Sequence, residues 1–205
     1  MSFRQMVPGL ILAFSLISTP AFAAPPEQAR GEPGGGGVLS LLPPDAVSDH
    51  VLDADGKSMA YTATAGTLDL FGQDGQRSAA IFYTAYVAKN RDAGRPITFV
   101  FNGGPGAASA FLNLGLVGPR ILDFGPDGRD GANAKLVDNP QSWLNFTDLV
   151  LIDPIGTGWS RAAKPDDQND FYSVDSDAES LAKAIALYVA HNSRASSPKY
   201  ILGES

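Results

Sequence analysis

A chain of 205 residues, 44% hydrophobic and 18% charged, holds enough apolar material for one packed core and too much for a disordered tail. Its formal net charge of -7, with 15 Lys and Arg that never gather into a run, excludes a surface built to track nucleic-acid phosphates. With no Cys, disulfides and thiolate metal sites are excluded, and His50 and His191 lack the spacing of a zinc pair, so neither metal nor cofactor is expected.

The first element is a leader. Arg4 precedes an apolar stretch from Val7 to Ile17, and Ala21-Phe22-Ala23 offers small residues at both recognition positions of a signal-peptidase site. Residues 1–23 are therefore expected to be a cleaved secretory signal. The stretch falls short of the roughly 20 apolar residues of a bilayer span, which leaves an uncleaved anchor as the alternative. No later segment is long and apolar enough to span, so the mature chain is expected to be exported, periplasmic or extracellular, and free of the membrane. "PPEQARGEPGGGG" (Pro25–Gly37) has almost nothing to bury and reads as a flexible spacer over residues 24–38, ahead of a domain at 39–205.

The domain opens with a β pattern. "SMAYTATAG" and "AAIFYTAYVAKN" are rich in aromatic and β-branched positions, and the Asp-Gly of "FGQDGQRS" between them suits a turn, which predicts an antiparallel hairpin. Tyr83 and Tyr86, three apart in a strand, should face opposite sides. Strands and helices then alternate. "PITFVFN" (Pro96–Asn102), "TDLVLID" (Thr147–Asp153) and "KYILGES" (Lys199–Ser205) are continuous apolar runs of strand length, typical of strands buried on both faces. Between the second and third, "SDAESLAKAIALYVAHN" shows a capping box at Ser176 and Glu179 and an apolar face at Leu181, Ala184, Ile185 and Tyr188. This βαβ order implies an α/β fold with a parallel sheet.

Chemistry on such sheets collects at the carboxyl ends of the strands. All three runs end in Gly-rich loops: "NGGPGAAS", "DPIGTGWS" and "GES". Gly103 and Gly104 remove side chains ahead of a helix, so backbone N–H groups can approach a developing negative charge, as in an oxyanion hole. A phosphate cradle uses similar physics but lacks its motifs here. Gly203 and Ser205 supply the first half of Gly-x-Ser-x-Gly, the nucleophile elbow that lifts a Ser above a sheet.

Three blocks together resemble the serine carboxypeptidases of the α/β-hydrolase fold: "FNGGPGAASAFLNLGLVGPR", "NPQSWLNFTDLVLIDPIGTGWS" and "YILGES", in that family's order and roughly its spacing. The resemblance covers residues 96–205 and implies a mostly parallel sheet preceded by an antiparallel hairpin, the chain stopping inside the elbow. Carried over position by position, it implies Ser205 as nucleophile and the Gly104 N–H as one oxyanion donor. Asn102 and Glu204, with Gly103 beside them, match the residues that hold a substrate's C-terminal carboxylate. A Glu facing a carboxylate must share a proton with it, so exopeptidase specificity and an acidic pH preference are implied. The substrates would be peptides with a free C-terminal carboxylate. The departures are Ala107 for the family's Cys, Val100 for a Trp, Asp153-Pro154 for Asp-Gln-Pro, and Leu116 for an acidic residue of the network behind the pH preference.

In α/β-hydrolases the triad order is Ser, then Asp or Glu, then His. His50 and His191 both precede Ser205, so the acid and base are expected beyond this chain, which alone should be inactive. His191 reads as a last-turn helix residue and His50 as a surface residue. Trp143 and Phe146 are expected to pack under the second strand, and Asp153, Thr157 and Trp159 to shape the neighbouring loop. Another α/β-hydrolase, a proline iminopeptidase or esterase, and a non-catalytic binding protein on part of the hydrolase sheet remain as alternatives.

Overall fold

A computed structural model describes residues 38–204 apart from 55, 91, 93, 104 and 105. The leader, nearly all of the spacer, Gly104 and Ser205 thus lie outside the described residues. A 3-10 turn at Val38–Leu41 buries Leu39. Three antiparallel strands follow: β1 (Ala46–Ala54), β2 (Lys57–Phe71) and β3 (Arg77–Ala88). The β2–β3 pair is the hairpin expected from the sequence, its turn closed by Gly72 N donating to Gln76 O over 2.8 Å, with Gly75 at a φ of +74°. The hairpin does not open the domain, however, because β1 precedes it. In β1 Leu52 is the one fully buried residue, so no alternation marks the strand in the sequence.

The remaining strands are β4 (Ile97–Asn102), β5 (Arg120–Asp123), β6 (Lys135–Asp138), β7 (Asp148–Ile152), β8 (Arg161–Ala162) and β9 (Lys199–Glu204). A short helix α1 (Ala110–Leu112) runs on as a π-turn over Asn113–Val117, and α2 spans Val174–His191. The main sheet has the order β1-β2-β3-β7-β4-β9, with β8 paired to β3, while β5 and β6 form a separate hairpin. The sheet is mixed. Its ladders are antiparallel from β1 to β7 and parallel from β7 through β4 to β9. The crossover from β7 through α2 to β9 carries the chain past β4, as the alternation of strand and helix patterns implied.

Strands β4 and β7 are buried along nearly their whole length, which is why their sequences show no alternation. Phe99, Val150 and Ile152 pack with Leu68, Ile81, Tyr83 and the α2 face, including Ala184 and Tyr188. Val100, Leu149 and Leu151 turn to the opposite side and pack with Leu52, Tyr61, Leu112 and Leu144. Tyr83 and Tyr86 divide between these two faces as a period of two requires. Among the described residues β9 has β4 as its single neighbouring strand, so the expected double burial is not seen there, and Tyr200 and Ile201 are 57% and 71% exposed. Phe146 also departs from expectation, being exposed against Trp143 while Leu144 between them fills the core.

The start of α2 corrects the capping box. Ser173 is the N-cap, its Oγ accepting from Ser176 N over 3.1 Å, and Glu179 pairs with Lys183 at 2.7 Å along the helix. An extra N-terminal turn brings Asp175 and Asp177 to the positive end of the helix dipole, where carboxylates are favoured.

At the amino end of β7, Asp148 is fully buried between two guanidinium groups, Arg95 Nε at 2.8 Å and Arg194 Nη1 at 2.6 Å, and accepts from Ala88 N over 3.0 Å. This cluster fastens β3, the approach to β4 and the α2–β9 connection at one point. It lies at the end of the sheet opposite the Gly-rich loops.

Candidate active site

The parallel register places Asn102 of β4 directly beside Glu204 of β9. Asn102 is buried; its Nδ2 donates to Glu204 Oε2 over 3.0 Å and its Oδ1 accepts from Leu112 N over 2.9 Å. These two contacts fix which way the amide points. The same nitrogen carries a second N–H. Gly103 follows at the rim of a cavity of about 800 Å³, which Ile155, Thr157, Tyr172 and Asp177 also line.

The loop after β4 is tied down by Ser109, a residue that sequence reasoning passed over. Its Oγ donates to Ile152 O, and its N–H donates to Asp153 Oδ1 over 2.9 Å. Asp153 in turn accepts from Trp159 N over 3.3 Å, so one buried carboxylate holds both the β4 loop and the β7 loop. Burial pushes the Asp153 carboxyl above the usual aspartate range, against the pull of those two N–H groups and of the Arg161 charge. Gly158 sits against this carboxylate at a φ of +46°, and any Cβ there would overlap it. Thr157 Oγ1 closes the turn by donating to Pro154 O over 2.9 Å. Asp153, Thr157 and the Trp159 N–H thus shape the loop, as expected, with the Trp159 residue itself half exposed.

Neither histidine reaches this edge. His50 lies on β1 at the far margin of the sheet, exposed, stacked on Tyr61 at 5.4 Å, with β2, β3 and β7 between it and β4. His191 ends α2, an 18-residue helix whose other end borders the cavity, about 27 Å away by helical rise. Of the site residues expected from sequence, the structure brings Asn102, Gly103 and Glu204 together; Gly104 and Ser205 lie outside the described residues. Among the described residues no cluster could hold a metal ion, and no helix is long and apolar enough to cross a membrane.

A family model described as serine carboxypeptidase matches residues 59–205. The chain belongs to the serine carboxypeptidase family. Serine carboxypeptidase-like 44 of Arabidopsis thaliana is 29% identical to this family member over 145 residues, 70% of this chain and 27% of that protein. The vacuolar serine-type carboxypeptidase ATG42 of Saccharomyces cerevisiae is 34% identical over 88 residues, 42% of this chain and 16% of that protein. Among solved structures, a prohormone-processing carboxypeptidase of Saccharomyces cerevisiae matches with a TM-score of 0.49 and 21% identity, covering 82% of this chain and 34% of that one. The chain therefore spans about a quarter or less of the length of these two curated carboxypeptidases and about a third of the solved one.

Tyr172 and Asp177 escaped sequence reading. They reach the cavity because the polar segment Pro165–Phe171 coils as a 3-10 helix and delivers the start of α2 to the strand ends. No local motif announces that contact.

Proposed function

We propose that the protein is an exported serine-type carboxypeptidase that releases C-terminal residues from peptides through an acyl-enzyme. Residues 1–23 act as the leader and 24–38 as a spacer, and 39–205 contribute the nucleophile and the carboxylate-binding edge of the catalytic domain. The general base and its acidic partner come from sequence after Ser205, in the order Ser, acid, His. Ser205 Oγ attacks the scissile carbonyl as the His takes its proton. The tetrahedral oxyanion accepts a hydrogen bond from the Gly104 N–H, and collapse breaks the C–N bond while the His protonates the departing amine. Water, deprotonated by the same His, then hydrolyses the ester and restores Ser205.

The observation that carries this reading is the Asn102–Glu204 pair at neighbouring parallel strand ends, adjacent in sequence to Gly103 and Ser205. Asn102 offers a substrate carboxylate its remaining N–H, and Glu204 can share a proton with it, because two like charges at contact do not both ionise cheaply. Such a pair selects for a free C-terminus.

The full-length protein tests it. Peptides with a free C-terminal acid should be cleaved much faster than their C-terminal amides, and blocking the N-terminus should matter little. Ser205→Ala should remove nearly all turnover. Equal rates on acid and amide substrates would refute the carboxylate assignment.

A further inference from the structure

The cavity at the strand ends has one chemical feature that carboxylate recognition leaves unused. Among its described lining residues, Asp177 is the single carboxylate, and no Lys, Arg or His accompanies it. Its side chain makes no hydrogen bond and no ion pair with any described residue. The two cations nearest in sequence are committed elsewhere, Lys183 to Glu179 at 2.7 Å and Lys164 to Asp167 at 4.0 Å. Arg161, further off, donates through Nη1 to the carbonyl of Ser160 at 2.7 Å. Attraction to the helix dipole does not account for Asp177 facing the cavity, since Asp175, in the same first turn, meets that attraction from an exposed position.

The neighbouring wall suits a cation. Tyr172 has its hydroxyl held by Gln168 Nε2 and lies over Gly156, whose φ of +89° and missing Cβ make room for the ring. Phe171 lines the same side, and Pro154, Ile155 and Val174 supply apolar surface against which a chain of methylenes can lie. A carboxylate partly withdrawn from water beside an aromatic face and an apolar channel is the combination that favours an ammonium or guanidinium group. Burial raises the Asp177 carboxyl above its ordinary range, consistent with a charge that lacks its partner.

We propose that Asp177, with Tyr172 beside it, is a specificity-determining residue that receives the positively charged side chain of a Lys or Arg in the peptide substrate. This rests on the carboxypeptidase reading above and adds the substrate class. Asn102 and Glu204 hold the terminal carboxylate, and the cavity between the β4 loop, the β7 loop and the start of α2 accepts the cationic side chain.

The test uses full-length protein and N-blocked, free-acid peptides that differ at one position, carrying Lys, its neutral analogue norleucine, or Glu at the last or the penultimate residue. At one of the two positions kcat/KM should favour Lys over norleucine by about tenfold. Asp177→Asn should bring that ratio close to one, Asp177→Glu should restore part of it, and Asp177→Lys should turn the preference towards the Glu peptide. A merely structural role would leave the ratios unmoved. Equilibrium binding of the Lys and norleucine peptides to the Ser205→Ala protein separates this inference from the reaction assignment. Charge-selective binding that Asp177→Asn abolishes, without turnover of any peptide acid by the unsubstituted protein, would refute the peptidase and uphold the cation site. Hydrolysis with no preference for Lys at either position, or a preference that survives Asp177→Asn, would overturn the cation site alone.

Discussion

Asn102 and Glu204 stand opposite each other on parallel strands, and the amide of one donates to the carboxylate of the other over 3.0 Å. Because the Asn102 oxygen also accepts from Leu112 N, the side chain has a structural duty beside the binding role proposed for it. Asn102→Ala in the full-length protein should weaken recognition of a free-acid peptide by roughly 1 to 3 kcal/mol, the cost of an unpaired buried polar partner. It should shrink the preference for acid over amide by a corresponding factor. Loss of the Leu112 contact should also lower stability by about 1 kcal/mol. The ratio of acid to amide kcat/KM, paired with a denaturation midpoint, separates the two effects, and an unchanged ratio would mean that Asn102 serves the fold alone.

The leader is tested by where the mature chain begins. Expressed with its own N-terminus, the full-length protein should be recovered from the exported fraction starting at Ala24, as terminal sequencing would show. An intact Met1 confined to the cytoplasm would contradict the proposed export.

Sequence and structure agree best where burial is complete. β4 and β7 are covered on both faces, so their runs are apolar without interruption and are legible as strands. The α2 face of Leu181, Ala184, Ile185 and Tyr188 is legible for the same reason, through a period of 3.6. β1 escapes because eight of its nine residues are not fully buried, and an edge strand held mostly by backbone pairing leaves little side-chain signature. The capping box misled because Ser173 and Ser176 compete for one role, and the sequence pattern favours the Ser with Glu three residues on. The closeness of Asn102 and Glu204 was legible through the motif blocks, and their side chains do meet; Ser109 ties the β4 loop to β7 across the fold, and Asp177 borders the cavity only because distant segments pack there, neither with a local pattern.

Removing charge from the buried cluster at the other end of the sheet should have graded consequences. Asp148 is fully buried between Arg194, with 3% of its side chain exposed, and Arg95, with 15%. Asp148→Asn leaves two guanidinium groups facing one another in the interior and should cost about 3 to 5 kcal/mol. Arg194→Met leaves Asp148 the Arg95 guanidinium and the Ala88 N–H and should cost less. Arg95→Met, at the most exposed member, should cost least. Chemical denaturation of the three variants gives the order, and a variant series that instead stabilises the protein would show that desolvation outweighs pairing here.

Asp153 connects stability to pH with an unusual sign for an aspartate. Burial raises its carboxyl in the folded state above the value it has in the unfolded chain, so between those two values the folded protein binds more protons than the unfolded one. Stability carried by this group therefore rises as pH falls through that window and levels off below about pH 4, the ordinary aspartate value. Asp153→Asn lacks the titration. The stability difference between the unsubstituted protein and Asp153→Asn should consequently shift in favour of the aspartate as pH is lowered from 7 to about 4. A difference that moves the opposite way would mean that the N–H groups of Ser109 and Trp159 outweigh desolvation. Gly158→Ala probes the same strut without changing charge. The new methyl would overlap the Asp153 carboxylate, and its backbone would be strained at a φ of +46°. The loop can accept it only by breaking the Asp153–Trp159 contact, so Gly158→Ala should destabilise by about 2 kcal/mol or more. If Asp153 holds the β4 loop in place for catalysis and the Gly104 N–H is the oxyanion donor proposed above, Gly158→Ala should also lower kcat on peptide acids more than it raises KM, since a misplaced donor weakens transition-state binding and not ground-state binding. A fully active Gly158→Ala protein would show that the β4 loop keeps its position without the strut.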